Sequence, residues 1–491
     1  MEHAKFGTSY CKPLYCDSPE SCVVTVDPPD WEWNLDNPYA ASEAVDASDA
    51  GATGMSKWLS GLPSPVFSAY CIVAAFTTYF CMYAFRKPFT AGEFEEPLSL
   101  EYYGVAYKTV LVAAQVSGYT ISKFVGIKVI SEMPPGRRAV FILGLIGVAE
   151  LALLLFGMTP VPWNFVFLFL NGLPLGMVFG LVLSFLEGRQ VTEALSAGLC
   201  ASFILASGVV KSVGRMLIVD FGVSEYWMPA LTGLLFVPPL FLGVWMLSRI
   251  PAPNQNDVSE RSERQPMTGK DRIDLFLRHA FGLSAIVVVY SLLTVIRSFR
   301  DDFAVELWSE LGTEGEPSIF ARSELLVMFG VIFINGSAVF IRNNRTALLG
   351  SYSLICGGFV LVLASLAGHS AGVLDPFTFM VLLGLGAYVP YVAIHTTVFE
   401  RLLAAFHERG NIGYLMYLAD ATGYLVYVGV MILKNYLPKG INFLPLFVNT
   451  TFWMSCVSLG LGAMLLVHYG RRIPRDQSPV PIADEPLPET V

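Results

Sequence analysis

Charged side chains stand in this sequence where apolar runs should cross a membrane. Arg86 and Lys87 close one such run, Lys211 and Arg215 lie four residues apart in another, and Arg297 and Arg300 close a third. A charge well inside a span costs about 2.5–3.5 kcal/mol on insertion scales unless it meets a partner or a wet cavity, so each is a functional candidate. The alternative is a long basic side chain that lifts its charge to the interface. Position alone leaves both readings open for Arg86, Lys87, Arg297 and Arg300; Arg215 is expected to reach the interface. Lys211 sits deeper, on the same helical face as Arg215. Asp420 lies mid-run within Leu418-Ala419-Asp420-Ala421-Thr422-Gly423, and Glu150 interrupts another apolar run. Each of these acids needs a protonated state, a basic partner or water. His395, five residues past Pro390, could relay a proton near neutral pH, though packing histidines are commoner. Tyr79, Tyr83, Tyr388 and Tyr391 could line a cavity or simply pack. Basic groups outnumber acidic ones within the runs, which favours an anionic solute, and guanidinium forks match phosphate and carboxylate oxygens.

The elements that must hold these groups are membrane helices. The 491 residues are 54% hydrophobic and only 14% charged, with a mean hydropathy of +0.56, whereas soluble domains run nearer one quarter charged. Apolar runs of roughly 20 residues recur, each long enough to cross the hydrocarbon layer. They predict helices near 66–87, 103–122, 138–158, 164–186, 194–218 and 228–248. A polar linker follows, then six more near 279–300, 322–341, 347–367, 377–399, 411–433 and 446–468. The expected organisation is an acidic disordered tail (1–60), a six-helix bundle (61–250), a linker (251–276), a second bundle (277–470) and a disordered C-terminal tail (471–491).

Loop charge sets the expected orientation. Basic residues follow helix 2 (Lys123, Lys128, Arg137, Arg138), flank the linker, and follow helices 8, 10 and 12; the loops after helices 3, 5 and 9 carry none. Both termini are therefore expected in the cytoplasm, with the chain multi-pass in a bacterial-type inner membrane. The halves also echo each other. Phe85-Arg86-Lys87-Pro88-Phe89 matches Phe299-Arg300-Asp301-Asp302-Phe303, Lys108 and Arg322 follow at equal distance, and Phe185-Leu186-Glu187 matches Val398-Phe399-Glu400 nearly in register. Two parallel six-span halves are the pattern of the major facilitator fold. The fold class is thus all-α and membrane-spanning: twelve transmembrane helices in two pseudo-repeated six-helix bundles.

Several short segments resemble the organophosphate:phosphate antiporters of that superfamily. They are Tyr83-Ala84-Phe85-Arg86-Lys87-Pro88-Phe89, Ser122-Lys123-Phe124-Val125-Gly126, Met228-Pro229-Ala230, Tyr388 and Pro390 with Glu400 ten residues on, and Arg297 with Asp302. The resemblance implies that Arg86 and a helix 7 arginine grip a phosphate from the two halves, with Lys123 assisting. The repeat register points to Arg300 as the mate of Arg86, and the family pattern to Arg297. Two departures stand out. Ser202 occupies the place of the family's helix 5 histidine, with Lys211 as a candidate replacement. The signature between helices 2 and 3 is stretched, with Met133-Pro134-Pro135 between Glu132 and Gly136-Arg137-Arg138.

The expected function is secondary transport of a small organic anion by alternating access. Substrate-binding candidates are Arg86, Lys108, Lys123, Lys211, Arg297, Arg300, Tyr83 and Tyr388; proton-coupling candidates are Asp420, Glu150 and His395. A membrane sensor that kept the transporter fold is the alternative, favoured by the long acidic tail. No HExxH or GxSxG motif suggests an enzyme, and no basic block with interleaved aromatics suggests nucleic acid. No cofactor or metal is implied, and the eight cysteines contain no CxxC pair. The expected partners are the solute and the lipid bilayer, the protein acting as a monomer.

Overall fold

The computed structural model describes residues 54–94, 107–131, 133–186, 192–251, 269–313, 316–337, 341, 343–406, 412–434 and 443–473. Residues 1–53 with the Trp31–Trp33 segment, most of the linker, Glu132, Glu187 and the C-terminal tail beyond 473 lie outside these residues. Residues 54–60, expected in the disordered tail, form a short helix with Leu59 buried and Ser56 donating to the Arg249 carbonyl, and the last helix carries on through Arg472. Among the described residues twelve long helices follow one another. They are α1 (Ser64–Tyr83), α2 (Tyr107–Ser131), α3 (Arg138–Met158), α4 (Phe165–Leu186), α5 (Thr192–Val219) and α6 (Met228–Ser248), then α7 (Ala280–Asp302), α8 (Ser318–Gly336), α9 (Asn344–Ser370), α10 (Pro376–Ala405), α11 (Ile412–Lys434) and α12 (Phe443–Arg472). Eleven are long and apolar enough to cross a membrane. The exception is α2, which has the length but carries Lys108, Gln115, Lys123 and Lys128. The chain is a multi-pass membrane protein.

Packing is dense within each set of six. In the first, α1 lies against α5 and α6, and α4 against α2 and α3; in the second, α7 lies against α11 and α12, and α10 against α8 and α9. The two bundles meet along α2 with α11 and α5 with α8, the pairing expected of parallel repeats related by an axis along the membrane normal. Large apolar side chains such as Val140, Leu235, Phe333 and Trp453 cover the outside. Lipid, not water, suits such a surface. Helices alternate in direction, so α1 begins and α12 ends on one side, called here the terminal side; the opposite side is distal.

Local breaks decide which residues reach the interior. α1 stops at Tyr83, and the amides of Phe85 and Arg86 turn back onto the carbonyls of Met82 and Tyr83. Pro88 disfavours continued helix in the residue before it and opens a short 3₁₀ turn, Pro88–Ala91. Asn171 of α4 donates to the Phe85 carbonyl at 2.9 Å and to the Ala149 carbonyl at 3.0 Å, fixing that turn from below. In α10 Pro390 is followed by a π-helical turn, Ile394–Val398, whose five residues are all buried. Wide turns of this kind cluster at functional positions. Two expectations need correction. α2 runs about two turns further than its apolar stretch suggested, because Lys123 finds a partner inside the protein; Lys123 and Lys128 belong to the helix, not to a loop. α7 continues as regular helix through Asp302, so it does not repeat the break that follows Tyr83.

Candidate functional site

Arg86 and Arg297 converge on one tyrosine. Arg297 donates to the Tyr424 hydroxyl at 3.0 Å, and the Arg86 guanidinium lies 5.4 Å from the centre of the Tyr424 ring. Arg86 sits over the Tyr119 ring at 3.6 Å, with Tyr83 at 5.8 Å. Arg297 sits over Tyr391 at 4.5 Å, with Tyr388 at 5.9 Å. Both arginines are buried, at 2% and 3% exposure, and the Nε of each lacks a hydrogen-bond partner. Among the described residues neither has a carboxylate partner. Burial rules out the interface-seeking reading for both. A ring face stabilises a desolvated cation by about 2 kcal/mol, while taking an ion out of water costs several. The tyrosines therefore do not balance two guanidinium groups. An anion would.

The other buried lysines and arginines near the centre each have a carboxylate partner, Lys87 and Lys211 sharing Asp301. On the distal side Lys87 contacts Asp301 at 2.7 Å and also Asp302, while Lys211 contacts Asp301 and Ser207. Tyr427 donates to Asp302 at 2.9 Å. Lys108 pairs with Glu306 at 2.7 Å. Arg300 pairs with Glu324 at 2.6 Å and donates to the Met380 carbonyl at 3.0 Å. Lys434, at the end of α11, lies over the Phe303 ring at 3.9 Å and donates to Thr109 at 3.3 Å. Arg215 pairs at 2.7 Å with Glu93, whose side chain is mostly exposed beyond the end of α1. On the terminal side Lys123 of α2 meets Asp420 of α11 at 2.7 Å. Asp420 accepts from Tyr290 at 2.7 Å, and Tyr290 lies 2.7 Å from His395 Nε2.

These groups enclose a narrow central chamber. Tyr79, Tyr83, Tyr119, Lys123, Phe179, Phe203, Tyr391, His395, Asp420 and Tyr424 line it, leaving room for about one water molecule. Both its ends are crossed by ion pairs between the bundles: Lys87 with Asp301 and Asp302 at one, Lys123 with Asp420 at the other. Glu150 stands apart, inside the first bundle. Its two carboxylate oxygens are buried without a partner, packed so closely on Gly233 of α6 that a Cβ there would meet Oε2 at 2.2 Å.

The structure thus brings Arg86, Arg297, Tyr83 and Tyr388 together around Tyr424, and Lys123, Asp420 and His395 together beside them. It sets Arg300, Lys211 and Lys108 in separate pairs and leaves Glu150 isolated. Sequence reasoning missed Tyr119, Tyr290 and Tyr424. Of these only Tyr424 carried a signal, one helical turn from Asp420 on the same face.

The sequence profile of a family of unknown function, DUF5690, matches residues 88–472. The chain belongs to that family. No curated protein matches the sequence. Among solved structures, the human organic anion transporter MFSD10 (TETRAN) superposes with a TM-score of 0.54 at 15% identity, over 82% of this chain and 100% of that one. A POT family transporter in complex with a thioalcohol-conjugated peptide gives 0.51 at 12% identity, over 82% and 96% of the two chains. This member of the DUF5690 family has the major facilitator fold.

Proposed function

We propose that the chain is a secondary transporter of a small organic anion, phosphorylated or dicarboxylic, working by alternating access between its two bundles. One observation carries this reading: two buried guanidinium groups, one from each bundle, share Tyr424 and have no carboxylate partner among the described residues. With the other central cations matched, the two arginines leave a surplus of two positive charges, which a doubly charged anion neutralises. A ligand gripped from both bundles can also stabilise the state in which they close on it. Tyr83, Tyr119, Tyr388, Tyr391 and Tyr424 supply ring faces for the organic part and hydroxyls for its oxygens. Movement would be driven by exchange for a second anion or by protons, for which Asp420, Glu150 and His395 are the buried titratable groups. In this reading the chain termini face the cytoplasm, as the loop charges require.

Counterflow in proteoliposomes loaded with phosphorylated and carboxylated metabolites is the test. One class of anion is expected to drive uptake of its own labelled form, and Arg86→Ala or Arg297→Ala to abolish it in folded protein. Counterflow at the wild-type rate in both variants would remove the site assignment; no counterflow with any anion would remove the transport reading.

A further inference from the structure

His395, Tyr290, Asp420 and Lys123 form a chain of polar contacts that spans three helices of the second bundle and reaches into the first. Its direction follows from chemistry. Asp420, paired at 2.7 Å with the Lys123 ammonium, is a carboxylate and can only accept. The Tyr290 hydroxyl has one proton and gives it to Asp420 at 2.7 Å. The Tyr290 oxygen must then accept from His395, so the imidazole carries its proton on Nε2, 2.7 Å away. Nδ1 is left as a bare lone pair, and it is buried without any partner. The π-helical turn Ile394–Val398 and the Tyr391 ring, 4.8 Å from the imidazole, hold His395 in this orientation.

We propose that His395 Nδ1 is a proton-binding site, and that a proton taken up there releases Lys123 from Asp420. The transfer is balanced. A proton bonds to Nδ1, the Nε2 proton passes to the Tyr290 oxygen, and the Tyr290 hydroxyl proton passes to Asp420. Histidine ends neutral in its other tautomer, tyrosine is unchanged, and Asp420 becomes a neutral acid. Lys123 thereby loses its counter-ion and stands at the edge of the chamber as a third cation, ready for an anion held by Arg86 and Arg297. Proton binding and anion binding then favour each other, and the ion pair that bridges α2 to α11 opens at the same moment. The charged and titratable groups around the imidazole fit this coupling. They are Lys123 from α2, Arg297 and Tyr290 from α7, Tyr391 from α10 and Asp420 from α11, with Cys200 from α5 facing Asp420; Phe179 from α4 adds only an apolar face. The consequence for transport rests on the anion-carrier reading; the relay itself does not.

The test needs no substrate. Full-length protein in lipid nanodiscs is acidified from roughly pH 8 to pH 5, the range in which histidine responds, and infrared difference spectra follow the carbonyl stretch of neutral carboxyl groups. Wild type is expected to gain a signal that is lost in Asp420→Asn and kept in Glu150→Gln. Tyr290→Phe keeps the ring but removes the hydroxyl; it and His395→Asn are expected to abolish the signal or move its midpoint by about one pH unit or more. A wild-type protein without the signal, an acid-induced spectrum left unchanged by Asp420→Asn, or a Tyr290→Phe titration identical to wild type would each overturn the relay. Counterflow of inorganic phosphate and of the metabolite panel in the same preparations separates the two ideas. The infrared signature without counterflow of any anion supports the relay and removes the transport reading. Counterflow without the signature does the reverse.

Discussion

A guanidinium group stripped of water can be matched by a carboxylate or left for a ligand, and α7 carries one of each kind three residues apart. Arg300 has Glu324 at 2.6 Å, whereas Arg297 has a tyrosine hydroxyl and two ring faces. The two should respond differently to truncation. Arg300→Ala leaves Glu324 buried and uncompensated, a change that costs about 3–5 kcal/mol, and thermal unfolding in detergent should register it as a marked fall in midpoint. Arg86→Ala and Arg297→Ala leave no acid behind and relieve repulsion between two cations, so their midpoints should stay at or above that of wild type while anion binding is lost. A fall as large as that of Arg300→Ala in either variant would mean that these arginines are structural. The residues themselves were legible in the sequence as misplaced charges. The partners that sort them were not, because Glu306, Glu324 and Asp301 approach their cations only after the helices have packed.

At the scale of the helix, apolar runs gave the order and approximate position of the spans, and failed where a tertiary partner overrode composition. α2 extends through Lys123 because Asp420 waits for that ammonium on another helix. The repeat register paired Arg86 with Arg300, yet α1 breaks before Arg86 and α7 does not break at all. Equal spacing along the chain therefore gives unequal depth in the fold, and Arg297 takes the place beside Tyr424. Small residues set how closely helices approach, and α2 with α4 shows it. A Cβ on Gly118 would lie 2.1 Å from the Phe169 carbonyl oxygen, and one on Gly172 2.2 Å from that of Gln115. Neither backbone can retreat without parting the helices, as in small-residue contacts between membrane helices generally. Gly172→Val should displace Asn171 from the Phe85 carbonyl and the turn bearing Arg86 with it. Binding of the transported anion should weaken at least tenfold, although position 172 does not line the chamber. Unchanged affinity would show that the turn is held by other means.

Taken whole, the molecule is two bundles latched at both ends of a chamber too small for an organic solute. The distal latch concentrates charge: Lys87 and Lys211 from the first bundle, Asp301 and Asp302 from the second, with Lys108 and Glu306 beyond. Asp301→Asn removes the carboxylate shared by two lysines, and the distal side should open more often. Hydrogen exchange of the segments 88–94 and 304–310 should then accelerate relative to wild type, while segments on the terminal side keep their rates. Uniform acceleration would indicate general destabilisation, not a gate. The central claim is that the two arginines bind an anion jointly. Isothermal titration of the purified protein with the anion active in counterflow tests it most directly, in wild type, Arg86→Gln, Arg297→Gln and the double variant. Each single substitution is predicted to cost about 2 kcal/mol or more, roughly 30-fold in affinity, with the double variant showing no heat of binding; wild-type affinity in either single variant would contradict the account.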